Sequence, residues 1–223
     1  MNSTDPGTTL TRPDTVLFDL DGTLVDSGPT ILAALRKAFA EEGLPPLPPE
    51  VEPTLLGPPF YRALPPLIGD DAERVTQTYR RIYVTEGFAY RAEPYPGTEA
   101  LLDGLARLDV RLAVATSKLE TSAVAVLEHV GLAGRFATVC GDTPDEGRPS
   151  KSAIIAEALR RIGRSPEMAM VGDRRYDVAG AIDQGLPCIG AGWGYGEPGE
   201  LEAAGALAVM STPAALAAAW RLA

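Results

Sequence analysis

Residues 16–24 of this 223-residue chain read VLFDLDGTL. The apolar run that opens the stretch predicts a buried strand, and two acids, Asp19 and Asp21, stand at its end. Gly22 follows them and permits a sharp turn, which would bring backbone N–H groups near an anion. Because ligands of open α/β sheets bind at the carboxyl ends of strands, the stretch predicts a site as well as a strand. Two isolated acidic residues would indicate a turn or a helix cap. The whole D-x-D-G-T pattern after a strand instead indicates a functional site.

Further apolar, β-branched runs alternate with segments of helical spacing, which indicates a parallel sheet covered on both faces. Since crossovers between parallel strands are right-handed, the predicted fold class is an α/β, doubly wound, Rossmann-like sheet. The predicted strands are 16–20, 110–115, 138–141, 168–172, 188–191 and 206–209. The predicted helices of this sheet are 98–108, 120–130, 152–162, 176–184, 199–204 and 213–222.

One interval interrupts this alternation. About ninety residues separate the first two predicted strands, which is far more than a crossover needs. Residues 29–42 and 70–86 show helical spacing, while residues 44–66 are dense in proline. We therefore predict an inserted α-helical cap domain over residues 26–95.

The limits of the cap define the other parts of the chain. The hinges are expected near Asp26–Ser27 and at residues 93–96, which read EPYP. The α/β core domain takes residues 15–25 and 96–223. The polar residues 1–14 are expected to form a disordered tail.

Composition restricts the partners and the location. Acidic residues outnumber basic ones, 30 to 20, which gives a formal net charge of −10 and opposes binding to a nucleic acid polymer or an anionic membrane. We expect no leader with an apolar centre and no stretch that spans a membrane. Cys140 and Cys188 form no disulfide or zinc pattern. We expect a cytoplasmic protein with no nucleic acid or membrane partner, and either a monomer or a homodimer.

Two hydroxyl groups follow the second predicted strand. Thr116 and Ser117 could each hydrogen-bond a phosphate oxygen, although a cap for the next helix is an equally good interpretation of one such group. Thr116 comes first after the strand and is the preferred candidate. Lys118, beside them, is expected at the surface.

The third and fourth strands also end in polar groups. Lys151 opens a helix, where its charge opposes the helix macrodipole, and this mild penalty indicates a role such as pairing with carboxylates and phosphate. Asp173 and Asp177 stand four residues apart at a junction between strand and helix, so both could face a cation. Each segment alone is a weak signal. Their combination is strong because each falls at the carboxyl end of a successive predicted strand.

This set resembles the motifs of the haloacid dehalogenase superfamily, in the order Asp19-x-Asp21-Gly22-Thr23, Thr116, Lys151 and Gly172-Asp173-x-x-x-Asp177. The helical insertion is similar to the cap of the phosphoglycolate phosphatase-like branch. Within it, residues 57–59 (GPP) resemble a loop that faces substrate. Residues 193–196 (WGYG) resemble a feature of phosphatases called phosphoglycolate phosphatase or 5′-nucleotidase.

The resemblance implies a magnesium-dependent phosphatase of small phosphorylated molecules, with an aspartyl-phosphate intermediate. Asp19 would be the nucleophile, and Asp21 would first be the general acid and then the base that activates water. Mg²⁺ would be held by the carboxylates of Asp19 and Asp173 and by the main-chain carbonyl of Asp21, while Asp177 would act from behind these ligands. The groups expected at the phosphoryl oxygens are Thr116, Ser117, Lys151 and Gly22.

The resemblance also leaves alternatives. Dehalogenases of this superfamily lack the second acid, and phosphonate hydrolases use a cap lysine, whereas the predicted cap holds only Lys37, in its first helix. A β-phosphoglucomutase-like phosphotransferase stays open, as does a binding module without activity. Phosphoglycolate is the first candidate substrate and nucleoside 5′-monophosphates are the second. The cap residues considered as substrate contacts are Tyr61, Arg62, Arg80 and Arg81.

Overall fold

The segment Thr15–Phe18 forms strand β1, and all four of its side chains are buried. Burial on both faces is what a strand inside a parallel sheet requires, and the apolar run supplies it. The computed structural model describes residues 10–145 and 147–222.

The strands and helices follow the predicted alternation. The strands are β1, β2 (Val25–Asp26), β3 (Glu93–Pro94), β4 (Arg111–Leu119), β5 (Thr138–Asp142), β6 (Met168–Gly172), β7 (Cys188–Ala191) and β8 (Ala208–Met210). The helices are α1 (Gly28–Glu41), α2 (Phe60–Ala63), α3 (Pro65–Ile68), α4 (Ala72–Thr85), α5 (Thr98–Ala106), α6 (Glu120–His129), α7 (Lys151–Ile162), α8 (Arg175–Asp183), α9 (Glu200–Ala204) and α10 (Pro213–Ala219). Predicted and observed limits differ by only a few residues, as expected at frayed ends.

The main sheet has six strands in the order β5-β4-β1-β6-β7-β8, and every neighbouring pair is parallel. The chain fills one side of β1 with β4 and β5 and then crosses to the other side with β6. Phe18 pairs with Val114 of β4 and with Val171 of β6, so the residues that follow these three meet at one edge. The predicted α/β doubly wound fold is confirmed. A switch point of this kind is where such sheets bind ligands.

Two short strands lie where the sequence indicated hinges only. Val25 of β2 pairs with Pro94 of β3, and Asp26 pairs with Glu93, in an antiparallel ribbon. A strand of two residues has no period to detect, which is why the sequence showed no strand in this interval. Helices α1 to α4 lie between the two strands of the ribbon, in the range predicted as a cap. The division into core and cap domains stays a prediction.

Strand β4 runs four residues past its predicted end. Its pairing with β5 shifts register between Ala115 and Leu119, which marks an irregular stretch that contains Thr116, Ser117 and Lys118. A bulge at this point redirects side chains next to the sheet edge.

The first described residues are bonded to the last helix and to the residue before β6. Leu10 donates a backbone hydrogen bond to the Ala219 carbonyl at 3.1 Å, and Asp14 donates one to Glu167 at 2.8 Å. Residues 1–9 of the predicted tail lie outside the described residues. Among the described helices, none combines the length and apolarity needed to cross a membrane.

Candidate active site

Lys151 lies at the centre of a buried cluster of charges. Its Nζ atom is 2.9 Å from Asp19 Oδ1 and 2.7 Å from Asp177 Oδ1, and it donates a hydrogen bond to the Ala115 carbonyl at 3.1 Å. Asp19 follows β1, while Asp177 lies in the first turn of α8, so one ammonium group joins two elements of the sheet edge. The unfavourable position of Lys151 at the start of α7 is therefore offset by two carboxylates.

Asp173 is fully buried and is held by the loop that follows β7. Its Oδ2 atom accepts a hydrogen bond from the Tyr195 N–H at 2.8 Å, and its Oδ1 atom accepts one from the Thr23 hydroxyl at 3.4 Å. A Cβ atom on Gly22, whose φ is +85°, would lie 2.2 Å from Asp173 Oδ2, and one on Gly194 would lie 2.6 Å from it. Glycine is required at both positions because the carboxylate occupies that space.

The carboxylates of Asp19, Asp173 and Asp177 lie close together. One oxygen from each falls within 4.8 Å of the others. We call these three residues, together with Lys151, the carboxylate floor. Burial raises the pKa of Asp19 to about 6, against the opposing effect of Lys151. Burial, followed by the charges of Asp177 and Asp19, raises the pKa of Asp173 well above its ordinary value. The floor therefore holds more negative charge than one lysine neutralises.

Asp21 points to a different partner, Lys118. The Lys118 Nζ atom is 2.9 Å from Asp21 Oδ2, and the Ser27 hydroxyl donates to Asp21 Oδ1 at 2.5 Å. The surface position expected for Lys118 is wrong, because its side chain is only 7% exposed and its Nζ lies 4.4 Å from the centre of the Tyr83 ring. Burial alone would lower the pKa of Lys118, but the Asp21 charge and Tyr83 raise it above the ordinary lysine value.

The remaining predicted phosphate ligands lie near the floor. Thr116 is buried, accepts a hydrogen bond from the Lys118 N–H at 3.3 Å and, with Ser117, lines the cavity above Asp19. Gly22 is different, because its N–H donates to the Val25 carbonyl at 2.9 Å. The amide on which the prediction for Gly22 depended is therefore engaged within the turn, and the observed role of this glycine is to make room for Asp173.

A cavity of about 100 Å³ lies beside the floor, and Asp19 lines it together with residues of α1, α2 and α4. Since one water needs about 10–15 Å³ by this measure, a phosphoryl group has room there. Three aromatic side chains also line the cavity, and we call Phe60, Tyr79 and Tyr83 the aromatic roof. The Phe60 and Tyr79 rings meet edge to face at 4.6 Å, and the Tyr79 and Tyr83 centres are 5.4 Å apart.

Tyr195 connects the floor to the β2–β3 ribbon. Its backbone holds Asp173, while its hydroxyl accepts a hydrogen bond from the Gly28 N–H at 2.6 Å and donates one to Asp26 at 2.8 Å. Trp193, two residues earlier, donates from Nε1 to the Thr23 carbonyl at 3.0 Å. The loop noted in the sequence thus contacts the segment in which the first hinge is predicted.

Comparison with known protein families identifies the family of the chain. The family model described as "Haloacid dehalogenase-like hydrolase" matches residues 16–191, which is most of the chain. The chain belongs to this family. The predicted membership, including its branch with phosphoglycolate phosphatases and 5′-nucleotidases, is confirmed by the relatives of this hydrolase.

Relatives of this haloacid dehalogenase-like hydrolase carry different names. A tyrosine-protein kinase, PtkA, of Mycobacterium tuberculosis is 39% identical over 186 residues, which cover 82% of this chain and 64% of that protein. A phosphoglycolate phosphatase of Caulobacter vibrioides is 32% identical over 82% of this chain and 81% of that protein. A 5′-nucleotidase of Pseudomonas aeruginosa is 32% identical over 86% of this chain and 88% of that protein. The chain thus spans less than two thirds of the kinase relative.

A solved structure supports the fold of this hydrolase. A predicted phosphatase from Clostridium acetobutylicum superposes with a TM-score of 0.86 at 30% identity, over 92% of this chain and 97% of that one. The similarity extends through the helices between β2 and β3 because nearly all of both chains is covered.

The floor of this hydrolase suits a hard divalent cation. Magnesium prefers oxygen ligands, and three buried carboxylates approach one another here with raised pKa values for Asp19 and Asp173. The expected set was Asp19, Asp173 and the Asp21 carbonyl, with Asp177 behind them. The structure brings the Asp177 carboxylate into the same cluster, while the Asp21 carboxylate lies with Lys118.

The cap residues named from the sequence have separate positions. Tyr61 and Arg80 line the cavity, Arg62 lines a neighbouring groove, and Arg81 forms an ion pair with Glu41 instead. Sequence reasoning missed the aromatic roof. A signal was available in α4, where the cavity-lining residues have the spacing of one helix face: Thr76, Tyr79, Arg80 and Tyr83.

Proposed function

We propose that this hydrolase is a Mg²⁺-dependent phosphatase of small phosphomonoesters that works through an aspartyl-phosphate on Asp19. The observation that carries the proposal is the position of the Asp19 carboxylate. It lies at the end of β1, 2.9 Å from a buried lysine, in a cluster with two further carboxylates and on the wall of a cavity. A carboxylate nucleophile beside an ammonium group and a cation site is the equipment that phosphoryl transfer needs.

The first step forms the intermediate. An oxygen of Asp19 bonds to phosphorus while the bond from phosphorus to the leaving oxygen breaks, and Asp21 gives a proton to the departing alkoxide. Lys151 and Thr116 hold phosphoryl oxygens. The second step reverses the proton transfer, because Asp21 takes a proton from water as the water oxygen attacks phosphorus. Inorganic phosphate leaves, and the Asp19 carboxylate is restored.

The floor would hold the cation through Asp19, Asp173 and the Asp21 carbonyl, with Asp177 as the nearby third carboxylate. When bound, Mg²⁺ supplies the positive charge that offsets repulsion between the attacking carboxylate and the phosphoryl oxygens. Lys151 already neutralises part of this charge. Its pKa is raised because, although burial opposes it, Asp177 and Asp19 favour the ammonium form, so Lys151 stays cationic throughout turnover.

Asp21 requires a change of partner to act as an acid. It lines the same cavity as Asp19 but is held by Lys118 and Ser27. We infer that substrate binding draws Lys118 away from this ion pair and so releases the Asp21 carboxyl group toward the leaving oxygen.

Phosphoglycolate is our first candidate substrate. Relatives called phosphoglycolate phosphatase support it at 32–34% identity, and Lys118 and Arg80 place cationic groups on the cavity wall where a second anionic group could bind. Nucleoside 5′-monophosphates are the second candidate. A relative called 5′-nucleotidase supports them, and the aromatic roof offers stacking surfaces for a base.

Phosphoryl transfer to another hydroxyl group is the alternative reaction. The relative called tyrosine-protein kinase favours it, as does the similarity to β-phosphoglucomutase, because an aspartyl-phosphate can pass to an alcohol as well as to water. Hydrolysis stands first, because the matches to the phosphoglycolate phosphatase and 5′-nucleotidase relatives span 81% and 88% of those proteins, against 64% of the kinase relative. A binding module without activity stands last because every catalytic position is filled.

We further propose that the protein acts in the cytoplasm on small molecules. The net charge of −10 disfavours nucleic acid and anionic membranes as partners.

A panel of phosphomonoesters tests the function. Phosphate release is measured with Mg²⁺ on phosphoglycolate, nucleoside monophosphates, sugar phosphates and phosphotyrosine, with Asp19→Asn as the matched control. We expect turnover of at least one compound by the intact protein, dependence on the metal and no turnover by the variant. Release that survives the substitution, or none from the whole panel, would overturn the proposal. Transfer of label from ATP to tyrosine would favour the kinase reaction instead.

A further inference from the structure

Arg174 joins the two sides of the molecule next to the carboxylate floor. It directly follows Asp173, and its side chain is only 7% exposed. Its Nε atom donates to Glu200 Oε1 of α9 at 3.0 Å, and its Nη1 atom donates to the main-chain carbonyl of Leu56. One guanidinium group thus connects a core helix to the segment that precedes α2.

The Leu56 segment is shaped to receive this side chain. Gly57 has a φ of +113°, and a Cβ atom there would lie 3.0 Å from Arg174 Cγ and 3.2 Å from Nη1. Both the backbone conformation and the close approach therefore require glycine. Residues 55–59 form one wall of the substrate cavity, so the contact fixes the position of that wall.

Glu200 gives the arginine a rigid anchor. Its side chain is 6% exposed, and it accepts further hydrogen bonds from the N–H groups of Arg175 at 2.8 Å and Glu197 at 3.1 Å. A buried ion pair with this many partners has few alternative arrangements. The direction of the Arg174 side chain is therefore set by the core.

The backbone of Arg174 connects the same contact to the floor. Its N–H donates to Asp177 Oδ2 at 3.0 Å, and the residue before it is Asp173. The residue that contacts the Leu56 segment is therefore joined to Asp173 by a peptide bond and to the Asp177 carboxylate by a hydrogen bond.

We propose that Arg174 is a positioning residue that latches residues 56–59 over the cavity and couples the closed position of that wall to Asp173 and Asp177. The guanidinium acts through the loop and the floor and does not touch the reacting atoms. The effect on turnover rests on the proposed phosphatase function, whereas the latch itself does not.

Amide hydrogen exchange tests the latch without any need for activity. Arg174→Met keeps the length and the apolar packing but removes both donors, so we expect amides of residues 54–62 to exchange at least about tenfold faster. Arg175→Met is the matched control. Its side chain is exposed and bonds to Tyr176, and its backbone bond to Glu200 is retained, so no change is expected. Exchange in this segment that equals the wild type in folded Arg174→Met would overturn the proposal.

Kinetics test the coupling on the best substrate of the panel. We expect Arg174→Met to lower kcat/KM by about 10–100-fold, mainly through a higher KM, because a bond from a charged donor to the loop is lost. Arg174→Lys should recover part of the loss, since it retains one donor. A loss confined to kcat, or no recovery by lysine, would contradict a positioning role.

Gly57→Ala disturbs the same contact from the loop residue. It provides a second test if Arg174→Met fails to fold. The added methyl group displaces the loop from the guanidinium, so exchange in residues 54–62 should rise as it does for Arg174→Met. In the double variant the two losses in kcat/KM should not multiply, because both break one contact. Losses that multiply fully would overturn the coupling. Absence of phosphate release from the wild type would refute the phosphatase function alone, and the exchange result would still decide the latch.

Discussion

The carboxylate floor and the aromatic roof meet at one cavity, which Asp19 of the floor and all three roof residues line, and they are built in different ways. The floor residues lie at the ends of strands or at the starts of helices next to them, within a sheet whose register is set by backbone hydrogen bonds. The roof residues lie on α2 and α4, which are attached through the two-residue strands β2 and β3. The floor is thus built on the hydrogen-bonded main sheet, whereas the roof is carried by helices that a short ribbon attaches to it. Under the proposed function, the floor would meet phosphorus and the roof would meet the leaving group.

The carboxylate floor and the aromatic roof also differ in charge. The floor holds three acids and one lysine, whereas the roof consists of three aromatic rings in contact. We therefore expect floor substitutions to reduce turnover of every substrate alike, and roof substitutions to change the preference between substrates.

The largest effect is expected for Asp19→Asn. The amide is isosteric but cannot form the acyl phosphate, so phosphate release should fall by about 10⁴-fold or more for every substrate. Steady-state assays across the panel, with a purity control for contaminating phosphatase, measure the loss. If one substrate kept its rate, the floor would not be common to all reactions.

Lys151→Met should follow, with losses in both activity and stability. Asp19 and Asp177 would be left buried without their cation, which costs about 3–5 kcal/mol in the free energy of unfolding. Urea denaturation of the metal-free protein measures the change. Lys37→Met is a matched control, since Lys37 is 42% exposed where it pairs with Glu86 and should change stability far less than Lys151→Met does. Equal effects for the two lysines would contradict the role given to the floor.

The stability of the metal-free protein should fall as pH rises from about 4 to about 6. The pKa of Asp19 is raised from 3.8 to about 6, so in this window the folded state keeps a proton that the unfolded chain has lost. A shift of this size corresponds to a loss on the order of 3 kcal/mol, complete above about pH 6, and Asp173 acts in the same direction.

Magnesium should reverse this loss. We expect Mg²⁺ to raise the midpoint of thermal unfolding much more at pH 7.5 than at pH 5, because protons compete with the metal for the same carboxylates. Calorimetry at both pH values, with and without Mg²⁺, measures the difference. A metal effect that did not change with pH would place the ion elsewhere.

These floor residues could be predicted from the sequence because each follows a predicted strand, and parallel strands place their ends at one edge. The burial of Lys118 could not be predicted, because a single lysine after a strand belongs to no periodic pattern. Its burial depends on the irregular end of β4 and on Tyr83 from another segment. The position of Asp19 at the sheet edge could therefore be predicted, whereas the packing around Asp21 could not.

The aromatic roof shows a different limit of sequence reasoning. The spacing of Tyr79 and Tyr83 indicates that they share a face of α4, but not what that face meets. Its target is set by the β2–β3 ribbon, by Tyr195 and by the contact between Arg174 and Leu56, which join residues far apart in the chain. Contacts of this kind leave no local pattern.

The smallest effect is expected at the roof. Tyr79→Leu removes the ring that packs between Phe60 and Tyr83, so the ratio of kcat/KM for nucleoside monophosphates to that for phosphoglycolate should change by about two- to tenfold. Tyr90→Leu, at an exposed tyrosine, is the control and should leave the ratio unchanged. An equal loss on both substrates would show that the roof supports the floor and does not select the leaving group.

The most direct measurement is the capture of the phosphorylated enzyme. The protein is mixed with its best substrate and Mg²⁺, quenched in acid during turnover, digested and analysed by mass spectrometry. We predict one phosphoryl group on the peptide that contains Asp19, lost on treatment with hydroxylamine and absent from Asp19→Asn. Phosphate release with no labelled peptide under conditions that capture a known aspartyl-phosphate enzyme, or label on a residue other than Asp19, would contradict the mechanism.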